Sequence, residues 1–287
     1  MQSIKLPATY NYTAAFLTLA CNLDCSYCIN VQTLTAYGGR KLMKVEDWIT
    51  GLNRLEMGDV PITLQGGEPT TRKGWERIVQ EVDAKFDILT NIQFDPQWFI
   101  DNIPIDKVTR DAPYAMIRVS YHPEQMQLDP MLTKVQTLQD AGYKIGVWGV
   151  LHPSQEKEIL EVQRIAKEIG IDFRTKEFLG WHEGKEYGTL KYKDACDFTN
   201  KADRIPIYRN VSCKTTELLI GPNGHIYRCH SDLYEGRAHC GHILDEHFKI
   251  YDDFRGCYYY GTCSPCDVKV TTNRFQEHGH TSVEIEF

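Results

Sequence analysis

Apolar positions along this chain follow two alternating rhythms. Short runs that are apolar throughout, or at every second residue, read as strands: "TAAFLTLA" (13–20), "VPITLQ" (60–65), "FDILTN" (86–91), "AMIRVSYH" (115–122), "YKIGVWGVL" (143–151) and "DFRTKEFLG" (172–180). Between them apolar residues recur at helical spacing, which predicts helices near Val45–Met57, Lys73–Ala84, from about Pro96, Met126–Ala141 and Ser154–Ile169. Such alternation makes an α/β fold, a partial (β/α)6 TIM-like barrel over roughly residues 10–182. Within "AMIRVSYH" the two-residue period sets Arg118, Ser120 and His122 on one face and Ile117, Val119 and Tyr121 on the other. A polar face on a central strand suits the inside of a ligand-filled barrel.

Past residue 195 the rhythm breaks and seven of the ten cysteines follow, which places a boundary between a barrel at 10–195 and a small C-terminal region at 196–287. There "IGPNGHIYRC" reads as a hairpin, because Asn-Gly between apolar arms favours a tight turn. A net charge of −7 with scattered Lys and Arg offers no stripe for a phosphate backbone, so nucleic acid is not an expected partner. The N-terminus carries an apolar run of only about seven residues, short of a membrane span and without a cleavable signal pattern. A soluble cytoplasmic protein with no membrane partner is expected, in which clustered cysteines mark metal or redox chemistry.

Three thiols, Cys21, Cys25 and Cys28, stand together in "ACNLDCSYCIN", directly after the first strand. That puts them on a loop beyond the strand's C-terminal end, the catalytic face of a β/α barrel. A structural zinc site wants four closed ligands, usually as two C-x-x-C pairs. Three thiolates on a [4Fe–4S] cluster leave one iron without a protein ligand, open to a substrate or cofactor. A trio of buried thiols or a partial zinc site is the alternative.

The motif C-x-x-x-C-x-aromatic-C, here "CNLDCSYC", resembles the defining signature of the radical S-adenosylmethionine (SAM) enzymes. The resemblance implies that Cys21, Cys25 and Cys28 hold a [4Fe–4S] cluster whose open iron is chelated by SAM. One electron then cleaves SAM to methionine and a 5′-deoxyadenosyl radical, with a flavodoxin- or ferredoxin-type protein as electron donor. It places Tyr27 near the adenine. The second strand ends in "LQGGEPT", and the resemblance assigns Gly66, Gly67, Glu68 and Pro69 to the SAM amino group. Asn91 and Ser120 become candidate SAM contacts. The fifth strand, "IGVWGVLH", lacks the full Gly-x-Ile-x-Gly-x-x-Glu pattern of parts of the family. Arg174, Lys176 and Glu177 on the sixth can meet substrate or form rim salt bridges.

In the C-terminal region, Cys213 is followed by ten residues, Gly224, four residues and Cys229, and later by Cys263 and Cys266 as C-x-x-C. This resembles the reduced "twitch" form of the SPASM extension, which implies an auxiliary [4Fe–4S] cluster on Cys213, Cys229, Cys263 and Cys266. The full set of SPASM cysteines is absent, so a second auxiliary cluster is not expected. Cys257 could replace one ligand, and a zinc ribbon on the same thiols is the alternative. Cys196 and Cys240 read first as buried small hydrophobes, second as hydrogen-atom donors or cluster ligands. The final "QEHGHTSVEIEF" yields no assignment.

The family's shared step is hydrogen-atom abstraction from an unactivated C–H bond. The chain begins almost at its first strand, with no separate peptide-recognition segment before it, which favours a small molecule such as a sugar or aminocyclitol. The leading expectation is dehydrogenation, with the auxiliary cluster accepting the second electron. Modification of a ribosomally made peptide, by crosslinking, thioether formation or epimerisation, is the alternative. A non-catalytic iron–sulfur or zinc protein would leave the GGEP turn and the polar strand face unexplained.

Overall fold

Six strands lie side by side in chain order: β1 (Tyr12–Thr18), β2 (Ile62–Gly66), β3 (Phe86–Thr90), β4 (Ile117–Tyr121), β5 (Ile145–Leu151) and β6 (Phe173–Glu177). All are paired in parallel. The computed structural model describes residues 2–28, 41–178, 180–187, 212–237, 239–248, 250–258 and 283–286. Helices α1 (Val45–Leu52), α2 (Trp75–Glu81), α3 (Pro96–Asn102), α4 (Leu128–Asp140) and α5 (Glu156–Glu168) connect them as crossovers. Among the described residues β6 ends the sheet, so the arc stays open, as expected for a partial barrel. None of these helices is long and apolar enough to cross a membrane.

The main core lies between the sheet and the helices. Ile62, Leu64, Ile88, Ile117, Val119, Ile145 and Val147 pack there against Trp48, Ile78, Phe99, Val135, Leu138, Ile159 and Val162. In α5, Ile159, Val162 and Ala166 form the buried stripe, while Arg164 pairs with Glu161 and Glu168 on the solvent side. The strand residues between the core positions face inward, and the register lines them up in layers. Tyr12 stands opposite Glu217, Thr63 opposite Asp87, Arg118 opposite Gly146, and Ser120 opposite Trp148, which stands opposite Arg174. The inward side of β4 is therefore the polar side, as its alternation predicts.

Helix α1 ends at Leu52, five residues before the pattern's end at Met57. Arg54 is the reason. It is 5% exposed, and its guanidinium donates to the carbonyls of Gln2, Ile243 and Asp245 at 3.0, 2.6 and 2.9 Å. Leu55–Glu56 then pairs in parallel with Ile4–Lys5. Long-range partners for the backbone and for one buried cation override the local helical pattern.

The predicted hairpin forms between β8 (Glu217–Ile220) and β9 (His225–Tyr227), with Gly224 at φ +81° in the turn. It does not stand apart from the barrel: β8 pairs in parallel with β1, and β10 (Gly241–His242) extends the sheet beyond β9. A separate three-stranded sheet sets β7 (Ser212–Thr215) between β11 (Arg255–Gly256) and β12 (Val283–Glu286). The chain switches sheets at Thr216. Cys213 and Cys229 consequently come from different elements and not from facing arms of one hairpin: Cys213 lies on β7, and Cys229 caps the short helix α6 (His230–Tyr234).

Candidate active site

The loop after β1 carries Cys21, Cys25 and Cys28 at the C-terminal edge of the arc. A turn, Cys28 N–H to Cys25 C=O at 3.1 Å, draws the last two together. Burial raises the Cys21 thiol above its ordinary value, and burial first, then the charges of Cys28, Glu124 and Cys21, push Cys25 up to about 12. Cys21 and Cys25 therefore keep their protons unless a cation stabilises the thiolates. Among the described residues no three Cys, His, Asp or Glu side chains converge as they would around a single metal ion. On a [4Fe–4S] cluster each thiolate would take a different iron, so convergence on one point is not required.

The paired glycines after β2 have a specific steric reason. Gly66 has φ +135°, and a Cβ there would lie 2.1 Å from the Thr18 carbonyl oxygen; at Gly67 a Cβ would lie 2.0 Å from that of Ala20. The close approach is to the stem of the cysteine loop, sealed by Gly67 N–H to Thr18 C=O at 3.0 Å and Glu68 N–H to Ala20 C=O at 2.9 Å. Glu68 is 1% exposed and reaches inward. Its Oε1 accepts from Thr70 N–H, Thr70 Oγ1 and Thr90 Oγ1 at 3.1, 2.6 and 2.9 Å, and its Oε2 accepts from Asn91 N–H at 2.6 Å. Burial still raises its pKa, against those hydrogen bonds. Pro69 opens the 3-10 turn that follows.

Asn91 closes the circuit, donating from Nδ2 to Asn22 Oδ1 at 2.7 Å and towards Cys21 Sγ at 3.6 Å. Its neighbour Ile92 sits at φ +55°, a strained position for a β-branched residue. Ile92 N–H donates to Thr90 Oγ1 at 3.0 Å, and its carbonyl accepts from Lys134 Nζ at 3.1 Å. Backbone strain beside a site residue has no sequence signal.

The segment after β4 holds the other side of the loop. Glu124 accepts from the Ser26 N–H at 2.6 Å and its hydroxyl at 2.9 Å, and Gln125 Oε1 accepts from Asp24 N–H at 3.4 Å. Tyr27 OH meets His122 Nδ1 at 2.8 Å, and its ring stacks on His152 with centroids 5.1 Å apart. His152 also meets His182 and Phe178 edge-on at 4.6 and 4.5 Å. Burial, then the Lys176 ammonium, push His122 down to about 4, so this imidazole is neutral. Sequence reading singled out Tyr27, Ser120 and His122 but missed Glu124, Gln125 and His152.

Below this tier the inner face carries charge. Asp87, 1% exposed at its side chain, pairs with Arg118 at 2.8 Å and lies 3.8 Å from Arg110. Arg174 pairs with Asp172 at 2.9 Å, donates to Pro113 C=O and lies over the Trp148 ring, the rim-salt-bridge alternative of its two. In the C-terminal region Cys213 is buried, and Cys229 Sγ accepts from Asp232 N–H at 3.4 Å. Cys196, Cys263 and Cys266 lie outside the described residues, as does the Glu177 side chain.

An open parallel arc with a three-thiol loop after its first strand and a GGE turn after its second defines a class of SAM-cleaving iron–sulfur enzymes. The family model described as the radical SAM superfamily matches residues 16–175, more than half of the chain, and the protein belongs to that superfamily. Over 217 residues it is 24% identical to a GTP 3′,8-cyclase of Clostridium perfringens (strain 13 / Type A), covering 68% of this chain and 64% of the cyclase. The chain thus spans less than two thirds of that relative's length. Two solved structures share the fold. Native anSMEcpe with bound AdoMet and Cp18Cys peptide is 14% identical, with a TM-score of 0.52, over 85% of this chain and 78% of that one. Native anSMEcpe with bound AdoMet is 13% identical, with a TM-score of 0.51, over 82% and 78%.

Proposed function

We propose that Cys21, Cys25 and Cys28 hold the [4Fe–4S] cluster, that Tyr27, Gly66, Gly67, Glu68, Pro69, Asn91 and Ser120 surround SAM, and that the enzyme dehydrogenates a small polar molecule such as a sugar or aminocyclitol. When bound, the cluster and SAM supply a 5′-deoxyadenosyl radical. The chain's own residues do the rest. The Gly66-Gly67 turn and Asn91 brace the thiol loop from one side, and Glu124 and Tyr27 hold it from the other. Residues 10–195 form the catalytic unit in this reading, and residues 196–287 supply an auxiliary cluster on Cys213, Cys229, Cys263 and Cys266 as acceptor of the second electron. A flavodoxin- or ferredoxin-type protein supplies the first.

One observation carries the choice of substrate: the inner face below the thiol loop bears Asp87, Arg118 and Arg110, which suits a polar molecule within the arc. The name of the cyclase relative, GTP 3′,8-cyclase, also points to a small polar substrate. The peptide bound in the anSMEcpe structure favours peptide modification as the second reading. Anaerobically reconstituted protein, reduced in the presence of SAM, should release 5′-deoxyadenosine, and Cys28→Ala should abolish it. Cyclic polyols and amino sugars deuterated at the carbinol carbon should pass deuterium into the 5′-deoxyadenosine. Transfer from a labelled peptide and from none of these alcohols would replace the first reading with the second.

A further inference from the structure

Cys257 falls outside the thiol spacing that marks the auxiliary site, yet the fold brings it to the same place. Strand β7 pairs antiparallel with β11, setting Cys213 opposite Arg255 and Ser212 opposite Gly256. Cys257 directly follows Gly256, the last residue of β11, and so leaves the strand that pairs with Cys213's. Arg228 ties in the third thiol. Its guanidinium donates to the Gly256 carbonyl at 3.0 Å and towards Cys257 Sγ at 3.8 Å, and it pairs with the Asp232 carboxylate at 3.3 Å. The backbone N–H of that same Asp232 donates to Cys229 Sγ at 3.4 Å. A guanidinium against a sulfur is a setting for a thiolate, and hydrogen bonds of this kind to metal-bound sulfur tune the centre they surround.

We propose that Cys257 is a protein ligand of the auxiliary iron–sulfur centre, together with Cys213 and Cys229, with Arg228 as the cation that faces its sulfurs. This rests on the auxiliary-cluster reading given above and changes its ligand set. Each thiol loses its proton to buffer as its sulfur bonds to iron. Cys240 is the natural control: Arg255 Nη1 donates towards its Sγ at 3.6 Å, but among the described residues no hydrogen bond links it to the Arg228–Asp232 group.

The test uses the full chain, with Cys21, Cys25 and Cys28 all changed to Ala so that only the second centre remains. It is reconstituted anaerobically with ferrous iron and sulfide. This background should bind about four irons per chain. Cys213→Ala, Cys229→Ala and Cys257→Ala should each lose most of that iron and its visible absorption, and Cys240→Ala should keep both. Cys257→Ser, a near-isosteric change, should shift the electron paramagnetic resonance signature of the reduced centre. In the native holoprotein Cys257 should resist iodoacetamide until a chelator strips the iron, a measurement that needs no variant to fold. Full iron and an unchanged spectrum in both Cys257 variants, with Cys213→Ala and Cys229→Ala losing the centre, would overturn this ligand and leave the auxiliary cluster standing. A background that binds no iron would overturn both.

Discussion

Ser26 gives both its backbone N–H and its hydroxyl to the carboxylate of Glu124, at 2.6 and 2.9 Å, and so fastens the thiol loop to the segment after β4. Glu124 is exposed, which limits the stability this pair adds. Glu124→Ala should cost about 1 kcal/mol of stability. It should cost more in loop order: the reconstituted N-terminal cluster should bleach several-fold faster in air-saturated buffer. Glu124→Gln, which keeps one acceptor oxygen, should fall between. Equal bleaching rates for all three proteins would show that the clamp has no part in holding the loop.

Gly67 allows two loops to touch. Any Cβ at this position would press on the Ala20 carbonyl at 2.0 Å, so Gly67→Ala must part the GGE turn from the thiol loop. The expected loss is about 3 kcal/mol, read from the urea midpoint. Gly256→Ala is the matched control, because a Cβ there has nothing within 4 Å, and its midpoint should stay within about 0.5 kcal/mol of the parent.

Much of this was legible from periodicity. Alternation in "AMIRVSYH" separated the core side of β4 from its polar side, and "TAAFLTLA" located β1, because both depend on one strand and its two faces. What stayed hidden depends on partners distant in sequence. Arg54 ends α1 early through carbonyls at Gln2, Ile243 and Asp245, and Glu124 finds Ser26 across 98 residues. The pairing of β8 with β1, which joins the C-terminal hairpin to the barrel sheet, is equally non-local. The last residues gave no assignment, because β12 is defined by its pairing with β7, some seventy residues earlier in the chain.

His122 makes stability depend on pH. Its imidazole is held near 4 by burial and Lys176, against about 6.5 in an unfolded chain. Between those values the unfolded chain binds a proton that the native state refuses. The contribution is therefore complete above pH 6.5 and is lost as the pH falls towards 4. From pH 7.5 to 5.5 that amounts to about 1 kcal/mol. His122→Gln should flatten the fall in urea midpoint over this range by about that much. An unchanged slope would mean that His122 is protonated in the native protein.

Asp87 and Arg118 form the buried pair on which the inner face depends, with Arg110 sharing the same carboxylate from 3.8 Å. Removing the carboxylate alone strands two cations in a poorly solvated interior, so Asp87→Ala should cost about 3–5 kcal/mol. Arg118→Met keeps most of the aliphatic volume and leaves Asp87 with its weaker partner. The double variant should be more stable than the sum of the single losses by about 2 kcal/mol, because no guanidinium then faces an empty position at 2.8 Å. Additivity within about 0.5 kcal/mol would mean that the two side chains do not sense each other. Arg118→Met should also retain the iron content of the parent, since the Arg118 guanidinium pairs with Asp87 and not, among the described residues, with the thiol loop, while losing most substrate-dependent deuterium transfer. That separation of cluster loading from turnover is what a substrate-facing charge predicts and a purely structural ion pair does not.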